Sequence, residues 1–186
     1  MKFRDILEAK TITIYHGDNY GTKKLEPKYM FQENSNNQEG VGIYFGNIET
    51  AKSYGKNIVS TEINPKNFVN SREPISKVVS DSVLRKFLKE ISKLDIEEFY
   101  YLITDYGIEV KEPEDVTDKH ITDFVQYIKN EEVRNFQITF CENFGVIDFV
   151  NLWNKIIKIH GTYFKQPSDT WYAIINTNYN LKNINI

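Results

Sequence analysis

The sequence is poor in the residues that build disulfides and zinc sites. Its one cysteine, Cys141, rules out a disulfide within the chain, which is compatible with a reducing cytoplasm. We expect Cys141 to be a small buried apolar residue. The three histidines form no Cys/His cluster at zinc spacing, so the sequence predicts no metal site.

Long apolar runs and strong positive charge are also missing. No run approaches the roughly 18 apolar residues of a membrane-spanning helix, so we expect no membrane partner. A net charge of -3 is unlike that of proteins that bind nucleic acid by bulk charge, so binding to nucleic acid would need a local basic patch. The 186 residues, 40% hydrophobic, suffice for one domain, or for one domain with an insertion.

The order of patterns along the chain predicts an α+β fold. Residues 11–15, TITIY, alternate like a half-buried strand, and residues 42–45, GIYF, are typical of a short apolar strand. From about residue 75 to residue 160 the apolar period becomes helical, and Val79, Val83, Phe87 and Ile91 form one stripe at four-residue steps. Asp95 and Glu98 have capping-box spacing, Phe149 and Trp153 fall on one helix face in the core, and we expect His160 at a helix end beside a glycine cap. Residues 170–186 return to strand patterning. We therefore predict a β core that carries a helical insertion at about 75–160.

Two short stretches contain residues that could carry chemistry. In YHG, we place His16 at the end of a strand, with Gly17 next, where a ligand can approach the backbone closely. In GVGIYFGNIETAKSYG, Gly42 precedes Tyr44 on a strand, and Tyr54 ends a short helix with Gly55 as its expected C-cap. Each has a simpler interpretation, since His16 could lie in a surface turn and both tyrosines could pack in the core.

Together, YHG, GIYF and the helix end AKSYG resemble the ADP-ribosyltransferase superfamily, in the histidine–tyrosine branch that contains diphtheria toxin and the poly(ADP-ribose) polymerases. They are also similar to small transferase domains of phage and mobile-element polyvalent proteins. The resemblance covers roughly residues 11–70 and 155–186. It implies a split β core of two small packed sheets with an NAD cleft between them.

The resemblance also implies roles for individual residues, with NAD as the substrate. His16 would contact the adenine-side ribose, and the backbone of Gly17 would meet the nicotinamide amide. Tyr44 and Tyr54 would bracket the nicotinamide ring, with Gly42 on the approach to the ring. Aromatic faces suit a cationic ring through stacking and cation–π attraction.

The third motif of the family is a glutamate on a late strand, and this chain departs from it. The matching position falls on Thr170, with Asp169 beside it. Three interpretations stay open: Asp169 supplies the carboxylate, Thr170 only hydrogen-bonds the ribose, or the site is inactive. In the first two cases, the missing glutamate argues against polymer synthesis.

The first ten residues, MKFRDILEAK, resemble the capsid-targeting leader of internal head proteins in T-even-type phages. The resemblance implies a cleavable leader over residues 1–8 and a single domain over 9–186. A protein of this kind is packaged in the virion head, injected, and acts in the host cytoplasm. The alternative is an amphipathic helical turn packed on the domain.

The sequence therefore predicts an NAD-dependent mono-ADP-ribosyltransferase that modifies a host protein or nucleic acid, with target selection by the helical insertion. The alternative is an inactive NAD- or nucleotide-binding protein, or a structural internal head protein, on the same fold. An RNA phosphate transferase on a related fold would need several arginines in the cleft, whereas the β segments offer Arg72 alone.

Overall fold

The computed structural model describes residues 10–19, 27–31, 39–165, 171–175 and 182–184. In these residues the protein is α+β, with two small β-sheets and a block of helices, as predicted. The strands are β1 (Ile12–Asp18), β2 (Ile43–Phe45), β3 (Asn57–Ile63), β4 (Phe68–Asn70), β5 (Gly161–Lys165), β6 (Trp171–Ile175) and β7 (Lys182–Ile184).

The first sheet has the order β1–β3–β7, with antiparallel neighbours, and the second has the order β2–β6–β5–β4. In the second sheet β4 and β5 run parallel, and the helical block between them in sequence provides the long crossover that a parallel pair needs. The strands predicted over 11–15 and 42–45 are confirmed. β1 continues beyond His16 to Asp18, so His16 lies within the strand rather than at its end.

The helices lie in one short segment after β2 and in the block between β4 and β5. They are α1 (Ile48–Tyr54), α2 (Ile75–Val78), α3 (Asp81–Ile91), α4 (Ile96–Asp105), α5 (Asp118–Ile128), α6 (Val133–Phe144) and α7 (Val146–Leu152), which continues as a π-helical turn (Trp153–Ile157). Short 3₁₀ helices lie at Pro27–Tyr29, Pro65–Asn67 and Pro113–Asp115. The helical character predicted for residues 75–160 is therefore confirmed.

Side-chain caps define where several of these helices begin. Asp95 accepts a hydrogen bond from the backbone N–H of Glu98 at 2.9 Å, which satisfies one of the free donors at the start of α4. Ser80 caps α3 in the same way, so Val79 lies outside the helix in an extended conformation. The apolar stripe that the sequence predicted from Val79 therefore starts one turn later.

Two predicted helix ends differ from the structure. Gly55 follows α1 with φ 178°, which is extended backbone and not a left-handed cap. After the π-helical turn, Lys158 takes the left-handed conformation with φ 61°, and His160 lies beyond the helix. The backbone N–H of His160 donates to the carbonyl oxygen of Asn67 at 3.0 Å, so this residue joins the helical block to the 3₁₀ helix before β4.

One hydrophobic cluster contains residues of both sheets and of the helical block. In the block it is rich in aromatic rings: Phe87 lies 5.6 Å from Phe136 and from Phe140, centroid to centroid. The predicted core positions Phe149 and Trp153 are both fully buried. Cys141 is buried as predicted, and burial raises the pKa of its thiol.

Backbone hydrogen bonds fasten the helical block to the β core. The chain that leaves β4 runs beside the connection between α5 and α6, where Pro74 and Glu132 form an antiparallel bridge. The N–H of Arg134 donates to the carbonyl of Ser71 at 2.9 Å. No helix in the described ranges is long and apolar enough to cross a membrane. The proposed leader, residues 1–8, lies outside the described residues.

Candidate functional site

The two sheets meet at a bridge between β1 and β2. Tyr15 and Gly46 exchange both backbone hydrogen bonds, at 2.9 Å and 2.8 Å. In an antiparallel ladder with this register, the next hydrogen-bonded pair would be Gly17 with Tyr44. In the described part of the chain no backbone hydrogen bond joins these two residues, so the strands separate there. We call this place the split.

The split leaves backbone groups of Gly17 facing away from β3. Both the N–H and the C=O of Tyr15 point to Gly46, and backbone groups on a strand alternate sides with a period of two. The N–H and C=O of Gly17 therefore point to the same edge as those of Tyr15. A donor and an acceptor lie side by side on this edge, opposite Tyr44.

The imidazole of His16 spans the split. Its Nδ1 lies 2.8 Å from the carbonyl oxygen of Tyr44, and since a carbonyl only accepts, Nδ1 donates in this contact. The ring also lies against Phe45, with centroids 5.4 Å apart. On the other side, Nε2 is 3.5 Å from Oδ2 of Asp18. The ring is thus oriented from three directions.

Sequence reasoning missed Asp18, although the strand period points to it. Residues two apart on a strand share a face, so a strand that continues through Gly17 places Asp18 beside His16. The prediction ended the strand too early. The side chains of both residues are largely buried, with 19% and 14% exposed, so the pair lies in a partly desolvated place.

Gly17 is required here by the packing of a helix. A Cβ on this residue would lie 1.9 Å from the carbonyl oxygen of Ala51 in α1. A Cβ on Gly55 would lie 2.1 Å from the backbone carbon of Asp18. Helix α1 therefore packs backbone to backbone on β1, and the close approach expected at Gly17 is made by this helix.

Tyr44 is half-buried at the split and donates its hydroxyl hydrogen bond to the carbonyl oxygen of Gly40 at 3.3 Å. Burial raises the pKa of this phenol to about 12, and the nearby carboxylate of Glu39 acts in the same direction. The phenol is therefore neutral at physiological pH. Gly42 lies against β6, since a Cβ on it would lie 2.6 Å from the carbonyl oxygen of Ile175.

Tyr44 and Tyr54 are linked by two other aromatic residues. Tyr44 meets Phe164 edge-on with centroids 6.3 Å apart, and Phe164 stacks on Tyr172 at 5.0 Å. The hydroxyl of Tyr172 lies 3.4 Å from that of Tyr54, whose side chain is 60% exposed. These four residues form an aromatic row that begins at the split and ends at the surface.

The sequence contained a weak signal for the inner members of this row. Phe164 and Tyr172 are register partners in β5 and β6, and therefore lie on one face of the sheet. Each strand on its own shows only that apolar and polar residues alternate. Which residue of β5 lies opposite which residue of β6 is known only from the tertiary structure. Asp169 and Thr170, the candidates for the third motif, lie outside the described residues.

A surface cavity of about 530 Å³ lies elsewhere, in the helical block. It is lined by residues around α5, among them Lys119, His120 and Tyr127, and by none of the residues of the split. His120 belongs to the cap of α5, where its Nδ1 accepts from the N–H of Thr117 at 3.1 Å. Among the described residues, no group of three or more His, Cys, Asp or Glu side chains is arranged to hold a metal ion.

No protein-family model matches the sequence, and no curated protein matches it. Among solved structures, the chain is similar to a protein described as an anti-CRISPR protein, with a TM-score of 0.41 and 10% sequence identity, covering 95% of this chain and 97% of that one.

Proposed function

We propose that this chain is an NAD-dependent mono-ADP-ribosyltransferase that modifies a host macromolecule. The observation that carries the proposal is the split, where His16, Gly17 and Tyr44 meet around an interrupted hydrogen-bond ladder. The three residues come from two different sheets. All three are among the residues that the resemblance assigns to NAD.

The backbone of Gly17 suits the carboxamide of nicotinamide. A primary amide carries one carbonyl acceptor and an NH₂ donor, and it pairs best with a donor and an acceptor held side by side. The N–H and C=O of Gly17 provide this pair on the edge that faces away from β3. In the proposed complex, the carboxamide makes the two hydrogen bonds to Gly17 that Tyr44 would make if the ladder between β1 and β2 continued.

The contacts of His16 suit a role on the ribose. Because Nδ1 of His16 donates its hydrogen bond to the carbonyl of Tyr44, Nε2 is the nitrogen left to meet a sugar hydroxyl. Asp18 lies on the Nε2 side and would accept a second hydrogen bond from the same sugar. The aromatic face of Tyr44 would stack on the cationic ring, and the neutral phenol adds no competing charge.

The proposed reaction is a substitution at the anomeric carbon of the nicotinamide ribose. The bond from this carbon to the pyridinium nitrogen breaks, and the bonding electrons leave with neutral nicotinamide. An acceptor nucleophile then bonds to the oxocarbenium-like carbon and loses its proton to solvent. The protein contributes position and charge stabilisation. The residue proposed to steady the positive charge is Asp169, with Thr170 as the alternative that hydrogen-bonds the ribose.

Nicotinamide release from NAD by the purified protein tests the proposal, with and without host lysate as a source of acceptor. The variant Tyr44→Ala removes the proposed stacking face. Tyr101→Ala is the matched control, since Tyr101 is an exposed tyrosine of α4 in the helical block. We expect release that rises with lysate, is retained in Tyr101→Ala and is lost in Tyr44→Ala.

No release under any condition would reject the transferase. If NAD binding were retained in that case, the chain would be a binding protein on this fold, as the departure at Thr170 allows. Release that is equal in Tyr44→Ala and wild type would place the chemistry elsewhere. With labelled NAD, the modified lysate component would identify the acceptor class, protein or nucleic acid.

The helical block is proposed to select the target. Because its core is continuous with that of the sheets, deleting the block would expose apolar surface and unfold the protein. Substitution of an exposed tyrosine is the better test: Tyr127→Ala should lower target labelling without changing nicotinamide release in the absence of target. Unchanged labelling in this variant would argue against a role for this face.

Packaging in a phage head is the remaining part of the proposal, carried by the resemblance of MKFRDILEAK to a capsid-targeting leader. Coexpression with a prohead protease of the T-even type should remove residues 1–8, and Glu8→Ala should block the cleavage. Mass spectrometry of the product decides the outcome. If the protein with wild-type Glu8 keeps residues 1–8, the leader is rejected, and the alternative of an amphipathic helical turn packed on the domain remains.

A further inference from the structure

The segment from Glu39 to Val41 leads into β2, and the carboxylate of Glu39 anchors its start. Oε2 accepts hydrogen bonds from Nε of Arg72 at 3.2 Å and from Oγ of Ser71 at 3.3 Å. Oε1 accepts a hydrogen bond from Nη2 of Arg72 and lies 3.5 Å from Nη1 of Arg134. We call this group the clasp; the Glu39 side chain in it is only 15% exposed.

A second anchor comes from α6. Gln137 is fully buried, and its Oε1 accepts from the backbone N–H of Val41 at 3.2 Å. Gly40, between the two anchors, has φ 128°, and a Cβ on it would lie 2.7 Å from the same Oε1. Only glycine fits this conformation and this space. The segment is therefore held from both ends by the helical block and by the chain that leaves β4.

The held segment supplies the partner of the Tyr44 hydroxyl. The carbonyl of Gly40 accepts the hydrogen bond that fixes this hydroxyl at 3.3 Å. A shift of Gly40 would therefore turn or release the tyrosine ring at the split. The helical block therefore reaches Tyr44 through the segment from Glu39 to Val41. Arg134 and Gln137 of α6 hold the segment by an ion pair and a hydrogen bond, and Gly40 holds the Tyr44 hydroxyl by a second hydrogen bond.

We propose that Glu39 and Gln137 are positioning residues, which hold the Gly40 carbonyl so that Tyr44 keeps its place at the split. The helical block then has a second role beside target selection: through α6 it sets the geometry of the site itself. The consequence for catalysis rests on the proposed transferase function, whereas the consequence for the Tyr44 ring does not.

The test uses Glu39→Gln, which removes the charge and keeps the shape. Glu132→Gln is the matched control, because Glu132 also accepts from Arg134, at 2.6 Å, and has no contact with Gly40 or Val41 among the described hydrogen bonds. Arg72→Met, which loosens the clasp from its more exposed side, serves if Glu39→Gln does not fold. The double variant Glu39→Gln/Tyr44→Phe completes a cycle.

The first readout is NMR of the protein labelled with [¹³Cζ]tyrosine, in which the Tyr44 resonance is the one lost in Tyr44→Phe. We expect Glu39→Gln to shift this resonance and Glu132→Gln to leave it in place. A shift of equal size in both variants, or in neither, would overturn the proposal. This readout needs no activity, so it decides the positioning role even if no nicotinamide is released.

The second readout is kcat/KM for nicotinamide release. Glu39→Gln should lower it about three- to tenfold, the effect of one misplaced hydrogen bond. The double variant should be no slower than Tyr44→Phe alone, because the hydroxyl through which Glu39 acts is then absent. Additive losses would overturn the proposal. An inactive wild-type protein would overturn the transferase function and leave the NMR result standing.

Discussion

The helical block and the split between the sheets are held together in different ways. In the block, Phe87 packs its ring against Phe136, Phe140 and Phe149, with centroids at most 5.9 Å away. At the split, the two sheets are joined by the backbone bridge between Tyr15 and Gly46 and by the imidazole of His16, which contacts the carbonyl of Tyr44. The block depends on side-chain packing, whereas the split depends on backbone position.

This difference bears on where a ligand can bind. A close-packed aromatic core presents apolar side chains to a ligand, and opening it would cost several kcal/mol. An interrupted ladder offers backbone donors and acceptors without breaking any bond that the fold needs. The split is therefore suited to recognising a small polar group, and the block is suited to holding the split in shape.

The largest expected effect is in the block. Phe87→Ala should lower the free energy of unfolding by about 3–5 kcal/mol, since the lost contacts of a fully buried ring leave a cavity. Urea unfolding followed by circular dichroism measures the loss. Tyr101→Ala, at a side chain that is 58% exposed, should change stability by about 0.5 kcal/mol or less. Similar values for the two variants would mean that the aromatic core does not carry the block.

A smaller effect is expected where the backbone is close-packed. Gly17→Ala should cost about 1–3 kcal/mol, because its Cβ would lie 1.9 Å from the Ala51 carbonyl and α1 or β1 must move. Thr13→Ala, at an exposed position of the same strand, is the control and should change stability much less. A Gly17→Ala variant as stable as wild type would mean that α1 is not seated on β1 as described.

Alkaline pH should weaken the protein through the tyrosines at and beside the split. Burial raises the pKa of Tyr44 from 10.0 to about 12, so the folded state keeps a proton that the unfolded state loses first. This contribution to stability is complete below about pH 10 and is lost as the pH rises to about 12. One such group changes the free energy of unfolding by at most about 1.4 kcal/mol per pH unit.

The variant Tyr44→Phe separates this group from the others. Tyr172, whose pKa is also raised to about 12, mainly by burial, shifts stability in the same direction. Tyr44→Phe should therefore keep part of the alkaline decline and show a shallower slope in urea unfolding between pH 10 and pH 12. A slope identical to that of the wild type would show that Tyr44 is not protected from ionisation in the folded state.

The helical block could be predicted from the sequence because its signals are local. The capping position of Asp95 and the apolar period through Phe87 and Ile91 lie within single helices. The errors occurred at the ends. Val79 lies outside α3, and Lys158 takes the left-handed conformation in place of a glycine cap. End positions depend on what the chain meets next, and a local pattern does not contain this information.

The site was predictable in part. The motifs predicted His16 and Tyr44 as residues of one site, and in the structure a hydrogen bond joins them. The link between Tyr44 and Tyr54 through Phe164 and Tyr172 was missed, because it depends on the register of β5 against β6. The contact between Gly17 and α1 was missed for a similar reason. The spacing of residues in the sequence does not predict how closely the backbone of a helix will approach a strand.

The smallest expected effects are on the surface, where the two regions should behave alike. Lys89 pairs with Asp118 on the block, and Lys52 lies 3.9 Å from Glu49 on α1, beside the split. Exposed ion pairs gain little because water screens them, so Lys89→Met and Lys52→Met should each cost about 0.2–1 kcal/mol. Urea unfolding at low and high salt should show both costs shrinking as salt rises. A loss of about 2 kcal/mol or more in Lys89→Met alone would mean that surface ion pairs also stabilise the block. The block would then differ from the split in its surface charges as well as in the packing of its interior.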